Sequence, residues 1–569
     1  MLGVVRMQTR IPGPFPAPCY HRAMTTTEAR EWWRGAIMYQ IYPRSFQDSN
    51  GDGIGDLEGI IRRLDYLNDG TERSLGVDAI WLSPTFPSPM KDFGYDVSDY
   101  CDVHADFGDL ATMDRLIAEC HKRGIRVLLD YVPNHSSDQH PWFQEARGSR
   151  TNAKRDWYVW RDAQRSGAPE GAPPNNWIAV FGGPAWEWDA ATNQYYLHSF
   201  LVEQPDLNWR NPAVVAAMHD SLRFWFDRGI DGFRIDVMGM VLKHPEMPDN
   251  PPNPRWQPGM PEMAQQIWVH NRNHPDVFGA VEGIRAVCDE YPAVVTVGET
   301  FGTAEDLSRF YAGGKGLHLA FNFQFIRSDE ATGPTLWEAE TAARIIRAVE
   351  KHYAVGDEPC WAFGNHDRHR FISRYDDDGH GEERARAAAF LILGLRGVPF
   401  LYYGEEIGMV DGDIPEDRLQ DPARFRYEGR DPERTPMQWD ATPGRGFSRG
   451  EPWLPYGPDA INVAAQDGDR GSMLELYRQA AWARKRSPSL SAGSLEDLAT
   501  EDNVLSFVRR EPGEPAVLVA VNMAEEGRQV RLPGPGTILA ATRAADTGSR
   551  LKLSLELPAF GAAWVVLEA

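Results

Sequence analysis

The chain predicts an α/β protein whose centre is a parallel (β/α)8 TIM barrel. A subdomain is inserted after strand 3 and an antiparallel β-sandwich closes the C-terminus. Three observations carry this prediction. Eight short apolar, β-branched or aromatic runs alternate with amphipathic stretches between about Ala36 and Ser489. Three of those runs stop at a carboxylate: Asp236 in GIDGFRIDV, Glu299 in VVTVGET and Asp367 in WAFGNHD. After Ser489 the runs shorten to hairpin spacing without intervening helices.

Taken in order, residues 1–27 stand outside the fold. IPGPFPAP is too proline-rich for a secretory apolar core, so this stretch reads as a disordered tail or an over-extended start, with Met24 as an alternative first residue. The barrel is expected over 28–133 and 208–488. Its strands fall at 37–46, 77–84, 125–133, 230–237, 293–300, 317–325, 360–367 and 399–406. Helices are expected at 57–67, 113–124 and 214–229, where Gly124 and Gly229 occupy C-cap positions before the next strand. Between strands 3 and 4, residues 134–207 form the inserted subdomain, a run of turns and short strands that includes FGGPAWEWD and NQYYLHSF. A proline-rich loop at 244–258 and an irregular stretch from Asp411 to about Pro458 follow strands 4 and 8. Residues 489–569 make the C-terminal sandwich, with strands in NVLSFVRR, AVLVAVNM, RQVRLP, GTILAATR, LKLSLELP and AAWVVLEA.

Composition excludes several function classes. The 569 residues are 42% hydrophobic and 25% charged, a globular balance. A net charge of −23 would repel a phosphate backbone, so no nucleic-acid partner is expected. No run of about 18 apolar residues offers a membrane span. The five cysteines are scattered and never spaced as CxxC, which argues against a disulfide framework or zinc site and places the protein in the cytoplasm. A monomer or homodimer is expected. Nineteen Trp and nineteen Tyr supply core and, in part, flat walls suited to sugars.

Barrel active sites lie at the C-terminal strand ends. There the assignment puts Asp130, Asn134 and His135 after strand 3, Arg234 and Asp236 on strand 4, Glu299 on strand 5, and Asn365, His366 and Asp367 on strand 7. Three acids with Arg and His neighbours suit glycoside hydrolysis. One carboxylate attacks the anomeric carbon, kept ionised by an Arg. A second, kept protonated by burial, protonates the leaving oxygen, and a third stabilises the oxocarbenium-like charge. A second constellation is DSNGDGIGD, where Asp48, Asn50, Asp52 and Asp56 recur at calcium-loop spacing with the Ile54 carbonyl available. It is not an EF-hand, because its twelfth position is Gly59 and a strand precedes it; the run also suits a plain polar, glycine-rich turn. In HDRHR (366–370), His366 reads as a sugar-binding group and His369 as structural.

DYVPNHSSD (130–138), GFRIDV (232–237), GET (298–300) and FGNHD (363–367) resemble the ordered signature segments of glycoside hydrolase family 13, the α-amylase superfamily. GVPFLYYGEEIGM (397–409) resembles a further signature. QPDLNW (204–209) and RTPMQWD (434–440) resemble its oligo-1,6-glucosidase and α-glucosidase branch. The resemblance implies Asp236 as nucleophile, Glu299 as general acid/base and Asp367 as transition-state stabiliser, with Arg234, His135 and His366 holding the nucleophile and the sugar. It implies that Asp96, in FGYDVSDY, grips the terminal glucose with Arg434 as its ion-pair partner. That pair would make the enzyme exo-acting, a retaining α-glucosidase on maltose, isomaltose or related short α-glucosides that also transglucosylates. It implies a structural Ca2+ or Mg2+ in the Asp48–Asp56 loop and no organic cofactor. Val237 resembles the residue of relatives that accept α-1,6 bonds, although MGMVLKHPEM after it departs from their pattern. The alternative is a glucosyl-transferring or isomerising relative of the sucrose isomerase or trehalose synthase type. No arginine-rich counterpart of the isomerase motif stands between Phe321 and Trp337. A catalytically dead transporter partner is disfavoured, since every acid is present.

Overall fold

A computed structural model describes residues 31–164, 171–326, 335–425 and 429–568. The expected tail at 1–27 lies outside the described residues, as do positions 327–334 of the segment searched for the isomerase motif.

Eight parallel strands close into the barrel. The first three are β1 (Met38–Ile41), β2 (Ala79–Leu82) and β3 (Arg126–Tyr131). Strands β4 (Trp160–Arg161), β5 (Trp186–Asp189) and β6 (Gln194–Leu197) belong to the insertion. The barrel resumes with β7 (Gly232–Ile235), β8 (Val295–Gly298), β9 (Leu319–Asn322), β10 (Cys360–Ala362) and β11 (Val398–Tyr402). Neighbours run β1-β11-β10-β9-β8-β7-β3-β2, so β1 pairs with both β2 and β11 and no edge remains. All eight expected barrel strands are present, each shorter than its apolar run because the run continues into the rim loop.

The strands read as continuous apolar runs because both faces are buried. Alternate residues separate into two cores. Met38, Ala79, Trp81, Leu128, Val295, Val297, Leu319, Phe321 and Phe400 fill the barrel interior. Tyr39, Ile41, Ile80, Leu82, Val127, Leu129, Phe233 and Ile235 face outward and pack with the helices. Each such aliphatic or aromatic side chain contributes roughly 1.5–3 kcal/mol by leaving water. The helix Leu110–Lys122 shows how the layer is specified. Asp109 caps it by accepting from the Thr112 amide, Met113, Leu116, Ile117 and Cys120 face the core, and Gly124 ends it at φ +71°. It begins before the expected 113 because the cap sits in a polar stretch without helical periodicity.

In the insertion β6 lies between β4 and β5. Its small core of Val159, Trp177, Trp186, Tyr195 and Leu197 is separate from the barrel's. The chain returns to the rim where the Leu207 amide donates to the Asn134 carbonyl at 3.0 Å. The C-terminal region begins with β12 (Ser494–Glu501) and continues through β13 (Val504–Arg510), β14 (Val517–Asn522), β15 (Arg528–Arg531) and β16 (Gly536–Ala541). It ends with β17 (Arg550–Leu551), β18 (Ser554–Leu557) and β19 (Ala562–Leu567). These form an antiparallel sheet ordered β12-β13-β14-β19-β16-β17 and a second pair, β15-β18. β12 was absent from the expected strands: SLEDLATE is acidic and largely exposed, the signature of an edge strand rather than of a core one.

Candidate active site

Arg234, on β7, is buried to 1% exposure at the C-terminal mouth of the barrel and organises the acids around it. Its Nη1 donates to Asp130 Oδ1 and Asp236 Oδ1, both at 2.8 Å, and its Nη2 donates to Glu299 Oε2 at 2.5 Å. The guanidinium lies over the Trp81 ring at 5.1 Å, which covers it from below with an apolar face. Register explains the meeting. Ile235 pairs with Gly298, so Asp236 and Glu299 both follow directly from adjacent strand ends. Val237 then turns the chain in the left-handed region at φ +32°, a conformation a β-branched residue adopts at a cost of about 1–3 kcal/mol. Its amide donates to Glu299 Oε2 at 3.2 Å, so the strained turn ties the two acids together.

Asp367 is held from the other side. Its Oδ1 accepts from Arg430 Nη1 at 3.0 Å and Arg434 Nη2 at 3.1 Å. Arg434 Nε also donates to the His366 carbonyl at 2.7 Å, fixing the loop that carries the acid. His366 is buried and locked at both nitrogens, Nδ1 2.7 Å from the Gln40 amide and Nε2 2.7 Å from the Tyr95 hydroxyl. Tyr95 stacks on the imidazole at a centroid distance of 5.4 Å and also donates to Asp130 at 3.0 Å. His135 is buried beside Phe200, its Nε2 3.2 Å from the Gln204 amide.

The electrostatics divide the acids. Burial opposes ionisation of Asp367, but His366, Arg430 and Arg434 outweigh it and hold the carboxyl well below the usual range. Asp236 goes the other way. Burial raises it well above the usual range against the pull of Arg234, and Glu299, Asp130 and Asp367 add repulsion. The Arg234 expected to keep Asp236 ionised thus serves three carboxylates, Asp130, Asp236 and Glu299, and is opposed by burial and by its acidic neighbours. Burial lowers His135 to about 4 and His366 to about 3, so both imidazoles are neutral near pH 7.

The expected pair of Asp96 and Arg434 is not formed. Asp96 is fully buried beneath the loop, where it accepts from the Ser88 hydroxyl at 2.8 Å and the Lys91 and Asp92 amides at 2.9 and 3.0 Å. Those bonds make it a turn-holding residue, and Arg434 is spent on Asp367. The acid that meets an arginine is Asp92, four residues earlier, and the arginine is Arg430, four residues before Arg434. Arg430 Nη2 donates to Asp92 at 2.7 Å, while a fork from Nε and Nη2 reaches both Asp421 oxygens at 2.8 Å. Gln204, from the insertion, donates to Asp92 Oδ2 at 3.1 Å and so ties the subdomain to this pair. A signal for Asp92 existed: in KDFGYD the first acid precedes the glycine turn and projects into the rim, whereas the second follows it and caps the turn.

The Asp48–Asp56 loop is closed by its own amides. Asp48 accepts from the amides of Asn50, Gly51 and Gly53 and from the Ser448 hydroxyl. Asp52 accepts from the Ile54 amide, and Asp56 caps the helix Leu57–Arg62 through the Gly59 amide. The donor set of carboxylates, the Asn50 amide oxygen and the Ile54 carbonyl is all hard oxygen, which fits calcium or magnesium chemistry. Among the described residues the carboxylates of this loop do not converge into a metal-ligand trio.

A closed eight-stranded barrel whose rim gathers paired carboxylates on a single buried guanidinium, with a third acid held ionised between two further arginines, defines a barrel glycoside hydrolase. The family model for the alpha amylase catalytic domain matches residues 40–493, and the chain belongs to that family. A probable alpha-glucosidase of Rhizobium meliloti (strain 1021) is 43% identical over 89% of this chain and 91% of its own length. An oligo-1,6-glucosidase of Parageobacillus thermoglucosidasius is 38% identical over 89% and 92%. Among solved structures, an alpha-glucosyl transfer enzyme, XgtA, superposes with a TM-score of 0.86 at 38% identity, covering 94% of this chain and 99% of that one. The trehalulose synthase MutB superposes with a TM-score of 0.84 at 35% identity over 94% and 100%.

Proposed function

We propose that the protein is a retaining, exo-acting α-glucosidase that releases terminal α-glucose from short α-glucosides. The observation that carries the reading is the shared grip of Arg234 on Asp236 and Glu299, opposite an Asp367 held ionised by Arg430 and Arg434. A retaining hydrolysis needs one proton donor and one nucleophilic carboxylate flanking the same bond, and the placement of Glu299 and Asp236 just past the ends of adjacent, in-register strands supports that. In the first step Asp236 attacks the anomeric carbon while the proton, carried by Glu299, passes to the departing oxygen. The glycosidic bond breaks and a glucosyl ester forms. In the second, Glu299 takes a proton from water, the water oxygen bonds to the anomeric carbon, and Asp236 leaves with retention. The ionised Asp367 offsets the positive charge on the ring, and the neutral imidazoles of His135 and His366, each bonded at both nitrogens, hold the groups around the sugar in place.

Asp92 with Arg430 takes the role first expected of Asp96 with Arg434. This pair closes the glucose end of the pocket and makes the enzyme exo-acting. The glucosyl ester is equally open to a sugar hydroxyl, so transglucosylation accompanies hydrolysis. The Asp48–Asp56 loop takes one structural Ca2+ or Mg2+; removal by chelator should lower Tm, restored by Ca2+ in wild type but not in Asp52→Asn. Buried, unpaired Cys120, Cys288 and Cys360 support a cytoplasmic location, and no helix among the described residues is long and apolar enough to cross a membrane. The functional test is incubation with maltose, isomaltose, sucrose, trehalose and starch, with products and anomer followed by NMR. Free α-glucose from the short substrates is expected. Starch as best substrate would refute the closed pocket, and isomer formation without glucose would move the protein to the isomerases.

A further inference from the structure

His369 was read from the sequence as structural, and the fold brings it to two acids from distant segments. Its Nδ1 lies 2.7 Å from Asp411 Oδ2 and 3.8 Å from Glu433 Oε2, and all three atoms fall within 4.8 Å of one another. His369 comes from the loop after β10, Asp411 from the stretch after β11, and Glu433 from the short turn that carries Arg434. Glu433 is 1% exposed, and its Oε2 has no hydrogen-bond partner among the described residues. Arg434 is committed to Asp367 and the His366 carbonyl, while Arg370 donates from Nη1 to the Tyr403 carbonyl and from its amide to Asp411 Oδ1 at 2.8 Å. A buried carboxylate oxygen without a hydrogen bond among the described residues thus faces a second carboxylate and an imidazole nitrogen.

We propose that His369, Asp411 and Glu433 form a binding site for one divalent transition-metal ion of the zinc, manganese or cobalt class. One imidazole nitrogen with two carboxylates is a ligand set for such ions, whereas calcium takes six to eight oxygens. Bonds of about 2.0–2.2 Å to one ion put ligand atoms roughly 3–4 Å apart. The His369–Glu433 separation already meets this, and His369 and Asp411 need to part by about 0.5 Å. The site has an entry path, because the side chains of His369 and Asp411 are 32% and 17% exposed while Glu433 closes its floor. An ion here touches no reacting atom. It would tie together the segments that present Asp367 and Arg434, making His369, Asp411 and Glu433 positioning residues.

The test uses full-length enzyme stripped with chelator and titrated with Zn2+ by calorimetry and with Co2+ by visible absorption. One equivalent of Co2+ with ligand-field bands of a nitrogen-bound, low-coordinate ion is expected, together with a Zn2+-dependent rise in Tm. Affinity should fall about tenfold or more in Glu433→Gln and in His369→Ala. Asp52→Asn, in the oxygen-only loop, should leave Co2+ uptake unchanged. Asp411→Asn gives a third reading should either first variant fold poorly. Absence of stoichiometric Zn2+ or Co2+ uptake would overturn the site in favour of an imidazolium bridging two carboxylates. Uptake undiminished in the variants would place the metal elsewhere and equally overturn it.

Discussion

Arg430 is the sharpest place to test the pocket, because one guanidinium serves three acids. It makes bonds of 2.7 Å to Asp92, 3.0 Å to Asp367 and two of 2.8 Å to Asp421. Arg430→Lys keeps the charge and removes the fork. A lysine ammonium placed in the same space can stay with Asp421 and loses its hold on Asp92 and Asp367. Each charge-assisted hydrogen bond lost is worth about 1.5–3 kcal/mol, so roughly 3–6 kcal/mol of organisation leaves the glucose end. At about 1.4 kcal/mol per factor of ten, kcat/KM on maltose should fall at least 100-fold. Asp367 supplies a second readout. Its folded-state pKa is depressed, so it contributes stability that is present above the ordinary value near 3.9 and is lost as pH falls through the folded value. With one of its two arginines withdrawn the depression shrinks, and acid unfolding of Arg430→Lys should begin at higher pH than in wild type. A variant with kcat/KM within about threefold of wild type and an unchanged acid limb would refute the assignment of Arg430 to the pocket.

The acids separate in the same assay. Asp236→Asn should lower kcat by about 10⁴-fold or more with Tm little changed or raised, since an amide relieves the crowded charge; substantial residual turnover would remove Asp236 as nucleophile. Asp92→Asn should cut kcat/KM at least about 100-fold, whereas Asp96→Asn should cost about 1–2 kcal/mol of stability through its three turn bonds and change KM little. The reverse pattern would restore Asp96 to the sugar. His135 and His366, lowered to about 4 and 3 by burial, contribute stability present above the ordinary pKa near 6.5. Tm should therefore decline as pH falls from 6.5 toward 4, and His135→Gln should flatten part of that slope. A Tm independent of pH across this window would show that these imidazoles are not buried neutral.

The barrel was legible because each strand carries its own local signal, a short apolar run followed by a polar rim, and register then aligns the strand ends without further information. Asp236, Glu299 and Asp367 were legible for the same reason. β12 was not, because an edge strand buries too little to need apolar residues. The expected contact between Asp96 and Arg434 was not legible either: the ion pair that forms is Asp92 with Arg430. Asp96 and Arg434 each lie four positions from Asp92 and Arg430, and both are buried and bonded. What separates them is direction. Asp96 turns into the hydroxyl and amides of its own loop and Arg434 into Asp367, whereas Asp92 meets Arg430 across 338 residues, a contact that only the folded chain makes. His369 was read as inert because Asp411 and Glu433 meet it only in the folded chain.

Charge balance explains why the rim needs so many arginines. Asp130, Asp236 and Glu299 share Arg234, an excess of acid over base that works with burial to raise Asp236. Asp367 cannot join that sharing, because a proton on it would remove the charge that faces the oxocarbenium-like ring. Arg430 and Arg434 prevent it, and Arg430 is in turn anchored by Asp421 and Asp92, so that its position does not depend on Asp367. The site thus shifts two acids in opposite directions, Asp236 above and Asp367 below the usual carboxylate range, by giving one guanidinium to three carboxylates and two guanidiniums to one. Arg430 is one of the two guanidiniums that hold Asp367 low, so substitutions there should alter the acid limb of the pH profile as well as the rate.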